Sequence, residues 1–312
     1  MTRLLVGYDG SRASGAALRT AGVLFAGAQT TIVAVHLPQA AFEPAVLARA
    51  GEPPAAILDR TLDDSGEQAE HARELVREGA ELAAAAGLRA QSLVLAGTHP
   101  AKALRHAALG AGADVIVCGT RGEGPLGRGL LGSTALSLAH HAERALLVVP
   151  AAERVGNGPL LAGYDGSYGA RQALRFAARH VPQRRVLVAN VWDSPVRHSL
   201  RGRALQHSGV EFFEEYADTI DTIWREVAED EAAEGAAFAR DQGLAADPIA
   251  HESARGACDG LLRAADDTDA LAILVGTRGR GALASAVLGS VASGLVHRAH
   301  RPILLVPARG AR

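Results

Sequence analysis

The chain has 312 residues, 48% of them hydrophobic and 21% charged, which at roughly 150 residues per domain predicts two globular domains and argues against a disordered chain or a coiled coil. Its 32 Lys and Arg nearly balance 34 Asp and Glu, for a net charge of −2, so no global field attracts a phosphate backbone and nucleic acid is not expected as a partner. The two cysteines, Cys118 and Cys258, stand alone with no zinc or CxxC spacing. The opening apolar run is too short for a signal peptide and no apolar stretch reaches about 18 residues, so a cytoplasmic location without membrane contact is expected.

In chain order, residues 3–8 form a short apolar run ended by Asp9-Gly10-Ser11. They predict a strand, then a helix over 13–25 with Ser11 or Asp9 as its cap. The β-branched residues 30–37 predict a second strand. After a stretch containing Pro38, Pro44, Pro53 and Pro54, residues 65–86 read as a long Ala/Glu-rich helix and 88–96 as a third strand. A helix over 100–109, a strand over 114–118, a helix over 133–141 and a last strand over 145–149 complete the series. The order then starts again, with strands expected near 160–164, 185–191, 248–251, 270–275 and 302–306. Phe212, Phe213 and Tyr216 read as a helix stripe covering the sheet or a partner.

The second series is a duplication of the first. Leu5-Val6-Gly7-Tyr8-Asp9-Gly10-Ser11 returns 156 residues later as Leu161-Ala162-Gly163-Tyr164-Asp165-Gly166-Ser167. Gly119-Thr120-Arg121-Gly122 returns 157 residues later as Gly276-Thr277-Arg278-Gly279, and Leu147-Val148-Val149-Pro150 as Leu304-Leu305-Val306-Pro307 at the same spacing. A unit this long is a domain, and the Asn157-Gly158-Pro159 punctuation puts the boundary in 151–158, giving domains 1–152 and 157–312. Strands apolar at every position, such as Val115-Ile116-Val117, are buried on both faces. Alternating with helices, they predict an α/β fold built on a parallel sheet wrapped by helices, twice over. Ligands in such sheets lie beyond the carboxyl ends of the strands, where strand order reverses.

The loop after each fourth strand supports that location. Gly119-x2-Gly122-x9-Gly132-Ser133 and Gly276-x2-Gly279-x9-Gly289-Ser290 each lead into a helix. Glycine lets backbone amides approach a ligand, and the helix start adds free N–H groups, a dipole and a hydroxyl, which together suit a polyphosphate. Two other phosphate motifs fail here. The Walker spacing Gly127-x4-Gly132-Ser133 lacks its lysine and is not kept in the second copy. The dinucleotide fingerprint at Gly122-x-Gly124-x-x-Gly127 follows the fourth strand instead of the first.

The surviving pattern, G-x2-G-x9-G-[ST] with the Gly-Tyr-Asp-Gly-Ser opening and the closing strand before proline, resembles that of the ATP-binding branch of the universal stress protein family. The resemblance covers nearly the whole chain as two tandem domains. It implies a Rossmann-like five-stranded parallel sheet of order 3-2-1-4-5 in each, with ATP, accompanied by Mg²⁺, between the opening strand and the glycine loop. By position, Gly7 and Asp9, with Gly163 and Asp165, would line the adenine and ribose side, and the backbone of Val35 and Val191 would meet adenine. Gly119, Gly122, Gly132 and Ser133 would cradle phosphates, as would Gly276, Gly279, Gly289 and Ser290. Arg121 and Arg278 are expected to add charge there, with Arg128 and Arg280 as weaker candidates. The turn Gly97-Thr98-His99-Pro100-Ala101 is close to the family's Gly-x-Pro-Ala, whereas His251-Glu252-Ser253-Ala254-Arg255 departs from it.

Simpler roles compete with these. Asp9 and Asp165 could only cap helices, Cys118 could be a packed strand residue, and His140, His141, His297 and His300 sit at helix ends without metal-ligand spacing. Glu123 in the first loop has Arg280 as its counterpart in the second, so no acid common to both loops could activate water, and the residues favour binding over turnover. The expected function is a nucleotide-dependent sensor in a stress response. The alternatives are a slow ATPase and an interaction module that binds no nucleotide. Sheet edges at the closing strands predict a homodimer, and the regulatory protein partner is not encoded in any motif.

Overall fold

A computed structural model of the chain describes residues 1–36, 66–120, 132–151, 156–194, 210–279, 288–298 and 300–308, all with side chains except 210–217. The chain divides into two compact units, Met1–Glu153 and Arg154–Arg312. In unit 1 the elements are β1 Arg3–Gly7, α1 Arg12–Leu24, β2 Gln29–His36, α2 Glu67–Ala85, β3 Arg89–Ala96, α3 Pro100–Gly110, β4 Val115–Gly119, α4 Ser133–His140 and β5 Ala145–Val149. Unit 2 repeats them as β6 Leu160–Gly163, α5 Tyr168–His180, β7 Val186–Trp192, α6 Val210–Asp241, β8 Ala246–Glu252, α7 Ala257–Asp267, β9 Ala272–Gly276, α8 Ser290–Arg298 and β10 Ile303–Val306.

Every strand pair within a unit is parallel. The first sheet runs β3-β2-β1-β4-β5, with Leu5 opposite Thr31 on one side and Ile116 on the other. The second runs β8-β7-β6-β9-β10, with Leu161 opposite Leu187 and Ile273. The central strands are apolar at successive positions because helices cover both faces. Leu4, Leu5 and Val6 are buried, as are Leu160, Leu161 and Ala162. Strand order reverses between β1 and β4 and between β6 and β9, and the ends of these strands open the crevice in which each site lies.

The Asp-Gly-Ser turn after the first strand of each unit is set by three residues with separate tasks. Gly10 and Gly166 adopt φ of 78° and 73°, in the left-handed region that glycine enters without penalty. The hydroxyl of Ser11 accepts from the Ser14 N–H at 3.2 Å, and that of Ser167 from the Ala170 N–H at 3.2 Å, which makes the serines the caps of α1 and α5. The aspartates do not cap. Asp9 Oδ1 accepts from the Ser11 N–H at 3.1 Å, and Asp165 Oδ1 from the Ser167 N–H at 3.0 Å, so each carboxylate is oriented by the turn.

Two expectations from the sequence change. The third strand of unit 2 begins at Ala246 and extends through Glu252. Pro248, which reads as a strand start, is paired with Val188 inside it. Among the described strands β8 is bonded only to β7, and an edge strand tolerates a proline because its other side carries no ladder. Second, α6 is a single helix of 32 residues in which the expected aromatic stripe is only the opening turns. The side chains of Phe212, Phe213 and Tyr216 lie outside the described residues.

The step in the repeat from 156 to 157 has a definite place. Gly97 N–H donates to His36 O and Ser253 N–H to Trp192 O, still 156 apart. The helices that follow are capped by His99 and Gly256, 157 apart. The extra residue therefore sits in the turn after β8. There the Ser253 hydroxyl donates to Gly256 O at 3.0 Å and Gly256 takes φ of 83°, replacing the Gly-x-Pro-Ala turn of unit 1 by a serine-pinned one.

Candidate functional site

Each unit contains a cavity at the carboxyl end of its sheet. The unit 1 cavity holds about 1100 Å³ and is lined by Gly7, Asp9, Val35, Gly119, Gly132 and Ser133 together. The unit 2 cavity holds about 600 Å³ and is lined by Gly163, Asp165, Val191 and Gly276, and also by Arg278, Gly279, Gly289 and Ser290. Residues far apart in sequence are thus brought to one place twice. Arg121, Gly122, Arg128, Glu123 and Arg280 lie outside the described residues.

The glycines of these sites divide by what a side chain would meet. At Gly119 a Cβ would lie 2.6 Å from Ala13 Cβ and 2.9 Å from Ser14 N; at Gly276 it would lie 2.6 Å from the carbonyl oxygen of Gly169. These two positions need glycine because the first turn of α1 or α5 presses on the strand end, whatever the ligand. At Gly7 and Gly163 an added methyl would meet the side chains of Leu104 and Leu261, at 3.0 and 2.9 Å. Gly289 is different, since its nearest neighbour would be Thr277 O at 3.3 Å. At Gly279 a methyl would meet Asp165 Oδ2 at 2.7 Å, so the loop backbone and the aspartate lie side by side in the cavity lining.

The loop ends are tied before the helix begins. Gly132 N–H donates to Thr120 O at 2.7 Å and Gly289 N–H to Thr277 O at 2.9 Å, so these two amides are already engaged. The donors that remain in unit 1 are those of the first turn of α4, where no side chain caps the helix and Ser133, Thr134 and Ala135 line the cavity. In unit 2 the corresponding wall is Ser290, Val291 and Ala292. An uncapped helix start carries partial positive charge and unpaired N–H groups, an anion-binding arrangement. The same cavity is lined by the carboxylate of Asp9 or Asp165, a hydrogen-bond acceptor suited to hydroxyl groups.

Two features were legible in the sequence but not read from it. Tyr8 Oη donates to Glu78 Oε1 at 2.7 Å, and Tyr164 Oη donates to Glu234 Oε1 at 3.0 Å, tying the second helix of each unit to the residue beside the site aspartate. Gly79 and Gly235 make room for the rings; a Cβ there would come within 3.0 and 2.7 Å of the tyrosines. The signal was a fourth repeat, Glu78-Gly79 with Gly87-Leu88 against Glu234-Gly235 with Gly243-Leu244. Burial and the Glu78 partner push the Tyr8 hydroxyl well above the usual phenol range. The second feature is Asn190, buried at the unit 2 cavity, whose Nδ2 donates to Tyr164 O at 3.0 Å and Glu231 Oε2 at 2.7 Å. Its unit 1 counterpart is Ala34.

Cys118 is both a packed strand residue and part of the unit 1 cavity wall. Burial, with the Asp9 charge, pushes its thiol up to about 12, so it stays protonated and unreactive at neutral pH. Among the described residues no group of three or more His, Cys, Asp or Glu is placed to hold a metal ion. Among them, too, no helix is long and apolar enough to cross a membrane.

Similar proteins agree with this architecture. A universal stress protein from Mycolicibacterium smegmatis is 29% identical over 201 residues, which are 63% of this chain and 63% of that protein. A universal stress protein from Thermus aquaticus is 36% identical over 149 residues, covering 47% of this chain and 96% of its own length. In solved structures, a universal stress protein from Archaeoglobus fulgidus matches 98% of both chains with a TM-score of 0.61 at 18% identity, a likeness of fold. The model of the universal stress protein family matches residues 1–150 and again 156–307, so the chain belongs to that family and carries two of its domains in tandem.

Proposed function

We propose that each unit binds ATP, with Mg²⁺, in the cavity at the end of its sheet, and that occupancy biases the protein's conformation or its contacts with a regulatory partner in a stress response. The observation carrying this reading is the pairing, in both units, of a glycine-flanked helix start with an aspartate oriented by its own turn, in the lining of one cavity. The first-turn amides of α4 and α8 receive the phosphates, and Asp9 and Asp165 accept from ribose hydroxyls. The main-chain groups at Val35 and Val191 meet the base. Nucleotide shifts the population of states only by its differential affinity for them.

Binding accounts for the residues better than turnover. Among the described lining residues the one acid common to both cavities is Asp9 or Asp165, and its Oδ1 is already held by the amide of its own turn. The unpaired thiols Cys118 and Cys258 fit a reducing cytoplasm. We also propose that the protein acts as a homodimer, which sedimentation would read as a species twice the 32.2 kDa chain.

Calorimetry with Mg-ATP tests the central reading on the full chain. Heat is expected for both units, reduced in Gly289→Ala, whose Cβ would press on Thr277 O at 3.3 Å in the wall of the unit 2 cavity. An absence of heat up to millimolar ATP would leave the interaction module that binds no nucleotide. Phosphate release from the same sample, well above that of a Gly132→Ala control, would instead make the protein a slow ATPase.

A further inference from the structure

At the repeat spacing of 156 to 157, the linings of the two cavities correspond along the strand ends, on the helix after the third strand and at the helix start. Their main difference lies on one side. His36, Glu67, Gln68, His71, Ala72 and Leu75, from the end of β2 and one face of α2, line the unit 1 cavity. None of their unit 2 counterparts is among the described lining there. The helices nevertheless keep one register, since Gly79 and Gly235 sit against Tyr8 and Tyr164 in the same way. The volumes differ in the same sense, about 1100 Å³ against about 600 Å³. Among the described residues, unit 1 therefore has a lobe between β2 and α2 that unit 2 does not.

Two positions that bound this lobe differ in chemistry as well. In unit 1 they are Ala34 and Leu75, whose side chains carry no polar group. In unit 2 they are Asn190 and Glu231, joined by the 2.7 Å bond from Asn190 Nδ2, which also donates to Tyr164 O at 3.0 Å. With both N–H groups engaged and the side chain buried, the amide is fixed as a bridge from the strand end to the helix. Trp192, at the position of His36, lines a separate cavity with Ala250 and Glu252.

We infer that unit 1 accepts an adenine nucleotide extended at its base by an aliphatic chain with a cationic end, and that the Asn190–Glu231 bridge excludes this ligand from unit 2. The inference rests on the nucleotide reading above and adds to it a difference in specificity between the two sites. With phosphates at the helix start and ribose at Asp9, the base lies toward the end of β2, where the lobe opens. From Leu75 back to Glu67 the helix runs about 12 Å, a span suited to a six-carbon aminoalkyl chain. Such a chain first meets Ala34, Ala72 and Leu75, which lose contact with water as it enters. Its end reaches Glu67, Gln68 and His71, which are exposed, so an ammonium group stays hydrated beside a carboxylate. Entry into unit 2 requires breaking the bridge, which takes from a buried amide an acceptor that an alkyl chain cannot replace.

Calorimetry on the full chain, with ATP and N6-(6-aminohexyl)-ATP as separate titrants, tests this. ATP is expected to fill two sites per chain and the derivative one, its affinity for the other site being lower by about tenfold or more. Asn190→Ala/Glu231→Leu, which gives unit 2 the residues of unit 1, is expected to gain the second derivative site. Ala34→Asn/Leu75→Glu, which gives unit 1 the bridge, is expected to lower the ratio of derivative to ATP affinity there by about tenfold. A gained site cannot come from damage to the fold, so the first exchange decides the matter if the second variant does not fold. Derivative binding at two wild-type sites alike, or at none, in a chain that binds ATP overturns this inference and leaves the nucleotide reading standing. A single derivative site that the first exchange leaves single does the same. Failure of both titrants to bind overturns both readings.

Discussion

Units 1 and 2 share a frame and differ in what the frame displays. The strand-end glycines, the Asp-Gly-Ser turn, the tyrosine tied to the second helix and the helix start at the glycine loop recur at matching positions. All of these are features of close backbone approach or of a group that orients backbone. The side chains around the cavities are kept only in part. Asp9 and Asp165, Val35 and Val191, and Ser133 and Ser290 match, whereas Ala34 and Cys118 of unit 1 stand where unit 2 has Asn190 and Val275. Glu67, Gln68 and His71 line the unit 1 cavity, while the matching Ile223, Trp224 and Val227 are exposed and are not among the described lining of unit 2. Duplication retained what the main chain requires, while part of the lining diverged.

The same contrast appears at the opposite end of the last strand. Arg301 is buried and donates through Nη1 to Ala270 O at 2.6 Å and through Nε to Asp266 Oδ1 at 2.9 Å, with Asp269 Oδ1 at 3.2 Å. Asp269 holds φ of 46° where unit 1 has Gly112 at 58°. The corresponding Arg144 has Leu109 and Gly112 in place of the two aspartates, and its buried Nε has no hydrogen-bond partner among the described residues.

Substitutions at matched positions put this contrast to the test, and the strand-end glycine should give the greatest loss. Gly276→Ala is expected to cost about 3 kcal/mol in unfolding free energy, because the methyl meets backbone that cannot turn aside. Gly289→Ala costs under about 1 kcal/mol, its new contact being a tight but single one. Chemical denaturation of the two variants side by side checks this, and equal losses would mean that strand-end and loop glycines do the same job. Arg301→Met is expected to cost about 2 kcal/mol by leaving the Ala270 carbonyl unpaired. Arg144→Met should stay within about 0.5 kcal/mol. Thermal unfolding separates them, and matched losses would make the two units alike at this end after all.

Tyr8→Phe removes the bond to Glu78 and is expected to cost about 1 kcal/mol. Tyr164→Phe should cost more, since that hydroxyl also accepts from Arg171 Nε at 3.3 Å. Denaturant midpoints rank the pair, and the reverse ranking would refute the role given to Arg171. The mildest consequence is in pH. Burial tends to raise the Asp266 carboxyl, but bonds from His300 and Arg301 outweigh it and hold the group below the ordinary aspartate range. A carboxyl depressed in the folded state stabilises fully above its unfolded value of about 3.9, and that contribution is lost as pH falls through the lower folded value. Arg301→Met should therefore flatten the acid limb of the stability curve. Unit 1, with Leu109 at this position, contributes nothing to that limb, so an unchanged curve would contradict the assignment.

Much of this was legible in the residues. The repeats at Gly7, Gly119 and Leu147 announced two βα units, and the glycine loops pointed to the cavities that hold those residues together. The aspartates were ambiguous because Asp and Ser both cap helices well; only hydrogen-bond geometry gives the cap to Ser11 and Ser167 and leaves the carboxylates to the cavity. The tyrosine–glutamate pairs were hidden because their partners are 70 residues apart and neither type is diagnostic alone. Pro248 misled because proline marks strand ends in general, and edge position is a property of the sheet.

The order of residues was enough to establish the duplicated α/β architecture, since apolar strands alternating with helices can be buried in few ways and a repeated spacing reports a repeated backbone. What each recurring glycine is for became clear only in three dimensions. Whether an added side chain would strike a helix turn, as at Gly119 and Gly276, or would meet only a single tight contact within its own loop, as at Gly289, depends on which atoms pack against that position.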